Sequence, residues 1–205
     1  MKVISILFFV CLSWTIQAQT YVRNFEAIAS DNQVGKVKAT KISDGNIIQY
    51  QVRSEISIHV LFAVNITYKA QASYNEGVLM SSSASIFING HLHNSVVTEK
   101  ADSCYTIVEN EHTTKLYEEI KFSSAKLYFA KPVDQAEVYS ESEGIMKPIV
   151  KTADGKYTVK DPENSDNITV YGYSSEQGLN DIVISRIHLP DVKMKHVREV
   201  IPEEE

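Results

Sequence analysis

The stretch ISIHVLFAVNITYKA, residues 56–70, puts an apolar or aromatic side chain at every even position (Ile56, Ile58, Val60, Phe62, Val64, Ile66, Tyr68, Ala70) and mostly polar ones at the odd positions. A period of two is the signature of a β-strand with one buried face. Read as a single strand at about 3.3 Å per residue, the segment would run ~50 Å against the ~17–20 Å of a typical strand. It therefore predicts a strand that curls or carries a bulge within a strongly curved sheet. The apolar face of such a sheet must be covered by a second layer, by closure of the sheet on itself, or by a ligand.

Working outward, turn signals recur at intervals suited to a meander of hairpins: Asp44-Gly45-Asn46, Asn75-Glu76-Gly77, Asn89-Gly90, Asp154-Gly155 and Gln177-Gly178. Asn89-Gly90 is the strongest of these, because both residues accept the positive φ that a tight primed turn demands. The intervening runs are rich in Val, Ile, Thr, Tyr and Phe. They predict strands near 21–28, 34–43, 46–54, 56–70, 77–89, 91–99, 103–109, 136–141, 146–152, 156–160, 167–174 and 181–189. Ser123 to Pro132 departs from the pattern: a Ser cap, an Ala and a terminating Pro permit one short helix near 124–130, with a strand as the alternative; as a helix it would turn Leu127 and Tyr128 or Phe129 inward as a lid. Beyond Pro190, Val192, Met194 and Val197 read as an edge strand after a kink. The expected fold is all-β: a strongly curved antiparallel meander, a half-barrel or open barrel of about ten or more strands.

Three segments follow along the chain: a signal peptide at 1–18, a single β-rich domain at 19–198 and an acidic tail at 199–205. Met1-Lys2, the apolar run Val3–Leu12 and the small residue Ala18 have the layout of an export signal cut after Ala18. The run is too short for the ~20 apolar residues of a membrane helix, so an exported, non-membrane-spanning protein, periplasmic or secreted, is expected. Cys11 lies inside the apolar run rather than after it, which argues against lipid attachment. Loss of Lys2 leaves 19 basic against 26 acidic side chains, a net charge of −7. That balance disfavours nucleic acid and anionic membrane surfaces. Cys104 becomes the only cysteine, which excludes an internal disulfide and reads as a small apolar side chain in a strand.

Candidate chemistry is sparse. His91 and His93 share a strand face, a spacing zinc sites use, but zinc needs three or four ligands and the remaining histidines are scattered. Ser123-Ser124-Ala125-Lys126 spells S-x-x-K and Ser30-Asp31-Asn32 spells S-D-N, yet the order is inverted relative to the serine penicillin-binding enzymes and the third element is only Lys151-Thr152-Ala153. Asp161, Glu163, Asp166 and Asn167 crowd oxygen atoms into one loop without the EF-hand spacing, which reads as a solvated turn. Asn65-Ile66-Thr67 and Asn167-Ile168-Thr169 match glycosylation sequons but fall in strands. Glu118, Glu119, Glu137, Glu141 and Glu143 read as surface acids. No catalytic residue, metal ligand or cofactor is assigned.

Leu127-Tyr128-Phe129-Ala130-Lys131-Pro132, then Val138-Tyr139-Ser140-Glu141-Ser142-Glu143-Gly144, Tyr157-Thr158-Val159, Asp161-Pro162, Val170-Tyr171-Gly172-Tyr173 and Gly178-Leu179 form a cadence across most of the chain. With it, the chain resembles an uncharacterised, domain-of-unknown-function family of exported, β-rich bacterial proteins. The resemblance implies a fold and a compartment, and brings no binding or catalytic residues. A curved antiparallel sheet with a short helix over its concave face is also similar in architecture to the half-barrels that carry lipids or lipoproteins across the periplasm.

The function expected is a non-enzymatic binding or carrier module for an apolar small molecule or lipid, held on the concave face by Ile58, Val60, Phe62, Val64, Met80, Ala84 and Ile86. Small residues in Ser81-Ser82-Ser83-Ala84-Ser85, beside the long strand, would leave room for it. The alternative is a structural or protein-interaction module of the cell envelope acting through an edge strand or the C-terminal segment. A cavity of roughly 300 Å³ or more would favour the first, and a solid interior the second.

Overall fold

The computed structural model describes residues 18–59, 62–174, 178–187 and 189–197. Residues 1–17 of the signal-peptide segment, the acidic tail, Val60 and Gln177 lie outside the described residues.

The described residues form one antiparallel sheet of fourteen strands. Its elements are β1 Gln19–Ala29, β2 Asn32–Asp44, β3 Ile47–His59, β4 Ala63–Asn75, β5 Val78–Ile88, β6 His91–Lys100, β7 Tyr105–Glu109, β8 His112–Leu116, α1 Ser124–Leu127, β9 Glu137–Ser140, β10 Ile145–Lys151, β11 Tyr157–Lys160, β12 Ile168–Ser174, β13 Gly178–Ser185 and β14 Val192–Val197. Strands adjacent in sequence pair, except β8 and β9, and β1 pairs with β14 in the middle of the sheet. The two ends, β8 and β9, are joined by residues 117–136, which carry α1.

Residues 56–70 are not one bent strand. They are the end of β3, a turn and the start of β4, with His59 paired to Ala63, Ile58 to Val64 and Ile56 to Ile66. The loop between His59 and Ala63 has three residues, so paired partners differ by an even number. Directly paired residues point to one face of a sheet, so the even-numbered side chains stay on the same face through the reversal. The excess length is absorbed by a hairpin and not by a bulge.

Other elements shift in instructive ways. β8 falls where no strand is expected. The segment from Val192 is not an edge: β14 sits between β1 and β13, where Met194 pairs with both Ala27 and Ile182. Asn89 and Gly90 adopt the expected positive φ, 50° and 81°, between β5 and β6. Cys104 precedes β7 and is half-buried rather than core. The helix is a single turn, and Ser123 at its start makes no side-chain cap bond.

Curvature comes from bulges near Ala27, Ser73, Ile86 and Gly172, each of which bends its strand. It also comes from small inward residues: Ala27, Ala39, Ala70, Ala72, Ser82 and Ala84 are all buried. Side chains on the concave side of a tight curl converge, and small ones relieve the crowding. Gly35 does the same for backbone, since a Cβ there would stand 2.0 Å from the Glu55 carbonyl oxygen.

The curl brings the sheet's ends face to face without a ladder between them. Thr98 of β6 shares a 2.6 Å hydrogen bond with the Tyr139 hydroxyl of β9, and Asn94 Nδ2 donates to the Ser142 carbonyl at 2.9 Å. The 117–136 crossover is stitched down inside: the Leu79 amide donates to the Ile120 carbonyl at 2.9 Å, and the Tyr173 hydroxyl donates to the Leu127 carbonyl at 2.8 Å. Its side chains Ile120, Phe122, Ala125 and Leu127 join the core with Leu79, Val96, Ile107 and Tyr139. Each such burial contributes about 1.5–3 kcal/mol for a large apolar side chain.

Candidate functional site

The crossover fills only part of the concave face. Beside α1 remains a cavity of about 300 Å³. Its walls come from β3 and β4 (Ile56, Ile58, Ile66, Tyr68), from Ile86, and from the opposite half of the sheet (Val159, Tyr171, Ile182, Ile184, Val192, Met194), with Ala125 and Tyr128 as the roof. Ile56, Ile66, Tyr68, Tyr128 and Ile184 are only partly buried: each packs against the core and also lines this space. Two wider depressions, of about 500 and 490 Å³, lie among outward-facing side chains including Lys38, Arg53 and Lys69 or Lys36 and Glu55, and lack such enclosing walls.

The expected binding residues divide. Ile58 and Ile86 line the cavity. Val64 is half-buried, pairs with Ile58 and stands outside the lining, near the turn. Phe62, in that turn, is 68% exposed, and Met80 is 40% exposed. Met80 turns outward because β5 carries an extra residue there: Ser73 pairs with Ser81 but Tyr74 with Leu79, so the inward set changes from odd to even across Met80. Ala84 is buried but does not reach the cavity, and its small size serves the bend.

The cavity has a polar end that the pattern of apolar residues does not reveal. Ser140, Ser142, Glu143, Lys147, Thr169 and Arg186 all reach it. Lys147 is 6% exposed and forms ion pairs with Glu143 and, at 3.7 Å, with Asp161. Burial opposes ionisation of Asp161, but the Glu163 amide, the Lys147 charge, the Asn164 amide and Asn167 outweigh it and hold its carboxyl below the usual range. The acidic loop is thus a turn built on Asp161, whose Oδ1 accepts from the Glu163 amide at 2.9 Å. Arg186 differs from Lys147. Its guanidinium donates to the Ile168 carbonyl at 3.1 Å, the Ser185 carbonyl at 2.8 Å and the Thr169 hydroxyl at 3.4 Å, all neutral acceptors.

Tyrosine phenols complete the wall. Burial, reinforced by Glu141 and neighbouring phenols, pushes Tyr68 well above its ordinary value; burial and the same kinds of neighbour do so for Tyr171, where Arg186 pulls the other way. Burial and Glu141 likewise raise Tyr128. These hydroxyls remain protonated, so they offer hydrogen bonds and not nucleophiles.

On the other side of α1 the interior is solid. Glu141, expected at the surface, is fully buried, and its Oε1 accepts from the Ala125 amide at 3.1 Å, doing the capping that Ser123 does not. Burial pushes the Glu141 carboxyl up, while Ser123 and the backbone amides around α1 temper the rise. Its Oε2, the Ser123 hydroxyl and the Tyr74 hydroxyl are buried without a partner at hydrogen-bond geometry among the described residues. Lys126 does not form a Ser–Lys pair of the S-x-x-K kind: its Nζ donates to the Lys121 carbonyl at 2.9 Å and lies over the Tyr74 and Phe122 rings. His91 and His93 stand exposed at the start of β6. No sequence signal marks Glu141, Lys147 or Arg186, since each sits in a run whose polar residues read equally well as outward-facing.

Among the described residues, no helix is long and apolar enough to cross a membrane. No curated protein matches the chain in sequence. Among solved structures, the crystal structure of a β-barrel-like protein of the domain of unknown function DUF1849 from Brucella abortus is similar, with a TM-score of 0.49 and 8% identity over 87% of this chain and 95% of that one. The model of a family described as a domain of unknown function, DUF6134, matches residues 25–180, and the chain belongs to that family.

Proposed function

We propose that the protein is an exported, non-enzymatic binding or carrier module that holds an apolar molecule in the cavity beside α1. The observation that carries this reading is the partly open space of about 300 Å³ on the concave face, half of whose lining residues are isoleucine, valine and tyrosine. Soluble domains pack their interiors to crystal-like density, and hollows of this size in an apolar wall are few. The volume is at the lower end of the ~300–1,000 Å³ typical of ligand sites. Neutral phenols and small hydroxyl side chains on the same walls supply orientation without chemistry. Export rests on the Met1–Ala18 leader pattern.

The experiment is native mass spectrometry, with solvent extraction, of the protein isolated from the exported fraction of its own cells, alongside titration with the apolar dye N-phenyl-1-naphthylamine. A co-purifying apolar molecule and saturable one-to-one dye binding are expected. Protein that is empty and leaves the dye unbound overturns the reading. N-terminal sequencing of the same sample is expected to begin at Gln19, and a retained Met1 refutes export by this leader.

The interaction-module alternative draws less support. β14 lies inside the sheet and offers no edge. The two end strands, β8 and β9, are only five and four residues long, and β8 carries Lys115, features that blunt an edge against pairing.

A further inference from the structure

Resting on that reading, we propose that the polar end of the cavity is a head-group site for a singly charged anionic amphiphile, a long-chain carboxylate, with Arg186 as the residue that meets the carboxylate. Two cations face this end, and they are in different states. Lys147 is held between Glu143 and Asp161 and has no charge left to offer. Arg186 has no carboxylate within ion-pair distance among the described residues; its Nη1 is committed to carbonyls and its Nη2 reaches only the Thr169 hydroxyl, at 3.4 Å. A guanidinium fixed by backbone carbonyls is oriented before any ligand arrives, and it keeps donors free for an acceptor from the cavity. Carboxylates fit that fork well.

The walls decide the rest of the ligand. Behind Arg186 lie Ile182, Ile184, Val192, Met194 and the isoleucines of β3 and β4, which suit an alkyl chain and no second charge. Glu143 and Asp161 stand at the same end, so a doubly charged head such as a phosphate monoester meets about twice the repulsion that a single carboxylate does. The Thr169 hydroxyl and the protonated Tyr171 phenol complete a set of donors around one anion.

The test uses three ligands with the same ten-carbon tail and different heads, decanoate, decanol and decyltrimethylammonium, titrated calorimetrically into the full mature protein at pH 8. Decanoate binding at least tenfold tighter than the other two supports the proposal, and Arg186→Gln is then expected to remove that preference while decanol binding stays within twofold. Equal binding of all three overturns the head-group assignment and leaves the apolar cavity standing. No binding by any of the three, decanol included, overturns the assignment together with the cavity reading. Should Arg186→Gln fail to fold, the head-group series on the wild-type protein decides by itself, and Arg186→Lys, which keeps the charge but not the fork, is expected to retain part of the preference.

Discussion

The two sides of α1 face the same concave surface and are finished differently. On one side Leu79, Tyr105, Ile120, Leu127 and Tyr139 are at most 2% exposed, and even a carboxylate, Glu141, is sealed in among them. On the other side Ile56, Ile66, Tyr68 and Ile184 of the same sheet remain only partly buried around a hollow. The strands are alike in both regions. What differs is the crossover, whose side chains from Ile120 to Leu127 plug one end and leave the other. A curled sheet alone therefore does not decide whether its interior is core or cavity; the segment laid across it does.

The sharpest way to break this contrast is to truncate one residue on each side. Leu127→Ala removes a fully buried side chain from close-packed surroundings and is expected to lower unfolding free energy by about 2–5 kcal/mol. Ile86→Ala enlarges a space that already exists, and its loss is expected at or below ~2 kcal/mol, the bottom of the range for such truncations. Urea unfolding followed by tryptophan-free far-ultraviolet circular dichroism measures both. Equal losses at the two sites would mean that the hollow is not a preformed cavity in solution. The converse change, Ile66→Phe, is expected to reduce N-phenyl-1-naphthylamine affinity by tenfold or more with stability held within about 1 kcal/mol, because the added ring occupies empty volume instead of overpacking a full core.

This contrast was partly legible in the residues. The inward face of β3 and β4 follows from the even-position pattern, because alternation survives a three-residue loop; for the same reason the pattern cannot reveal that His59 pairs back onto Ala63. Asn89-Gly90 is legible because turn chemistry is local. Met80 is not, because a bulge is set by pairing with Ser73 and Tyr74 on another strand and leaves no mark in the alternation of β5. β14 reads as an edge because its neighbours, β1 and β13, include one drawn from the far end of the chain. The polar end of the cavity is hidden for a deeper reason: Lys147 is completed by Asp161 from a later turn as well as by nearby Glu143, and Arg186 is held chiefly by backbone carbonyls.

Glu141 and Asp161 distinguish the two regions by pH, because their shifts have opposite signs. Burial raises the carboxyl of Glu141 above its ordinary 4.5. The folded state therefore binds its proton more tightly than the unfolded chain does, so the stability it contributes is full below that ordinary value and is lost as pH rises through the elevated one. Glu141→Gln keeps an acceptor for the Ala125 amide and presents a donor toward Ser123 and Tyr74. It is expected to be more stable than wild type at neutral pH by up to about 1 kcal/mol, as an orphaned buried acceptor is removed, and to flatten the decline of thermal midpoint between acid and neutral pH. A variant that declines as steeply as wild type would show that another group sets that slope.

At the polar end of the cavity the sign reverses. Asp161 sits below its ordinary 3.8, since the Glu163 and Asn164 amides, Lys147 and Asn167 outweigh its burial. Its contribution is present above that ordinary value and is lost as pH falls through the depressed one. Asp161→Asn retains the oxygen that anchors the turn at Glu163 and leaves Lys147 paired with Glu143, so the expected loss at pH 7 is at most about 1 kcal/mol, the scale of a partly exposed ion pair. The loss should shrink as pH falls through that depressed value, with wild type and variant converging once the carboxyl is protonated in folded and unfolded states alike. A deficit that persists there would place the role of Asp161 in the geometry of the turn and not in its charge, and the cavity's polar end would then owe its shape to the backbone alone.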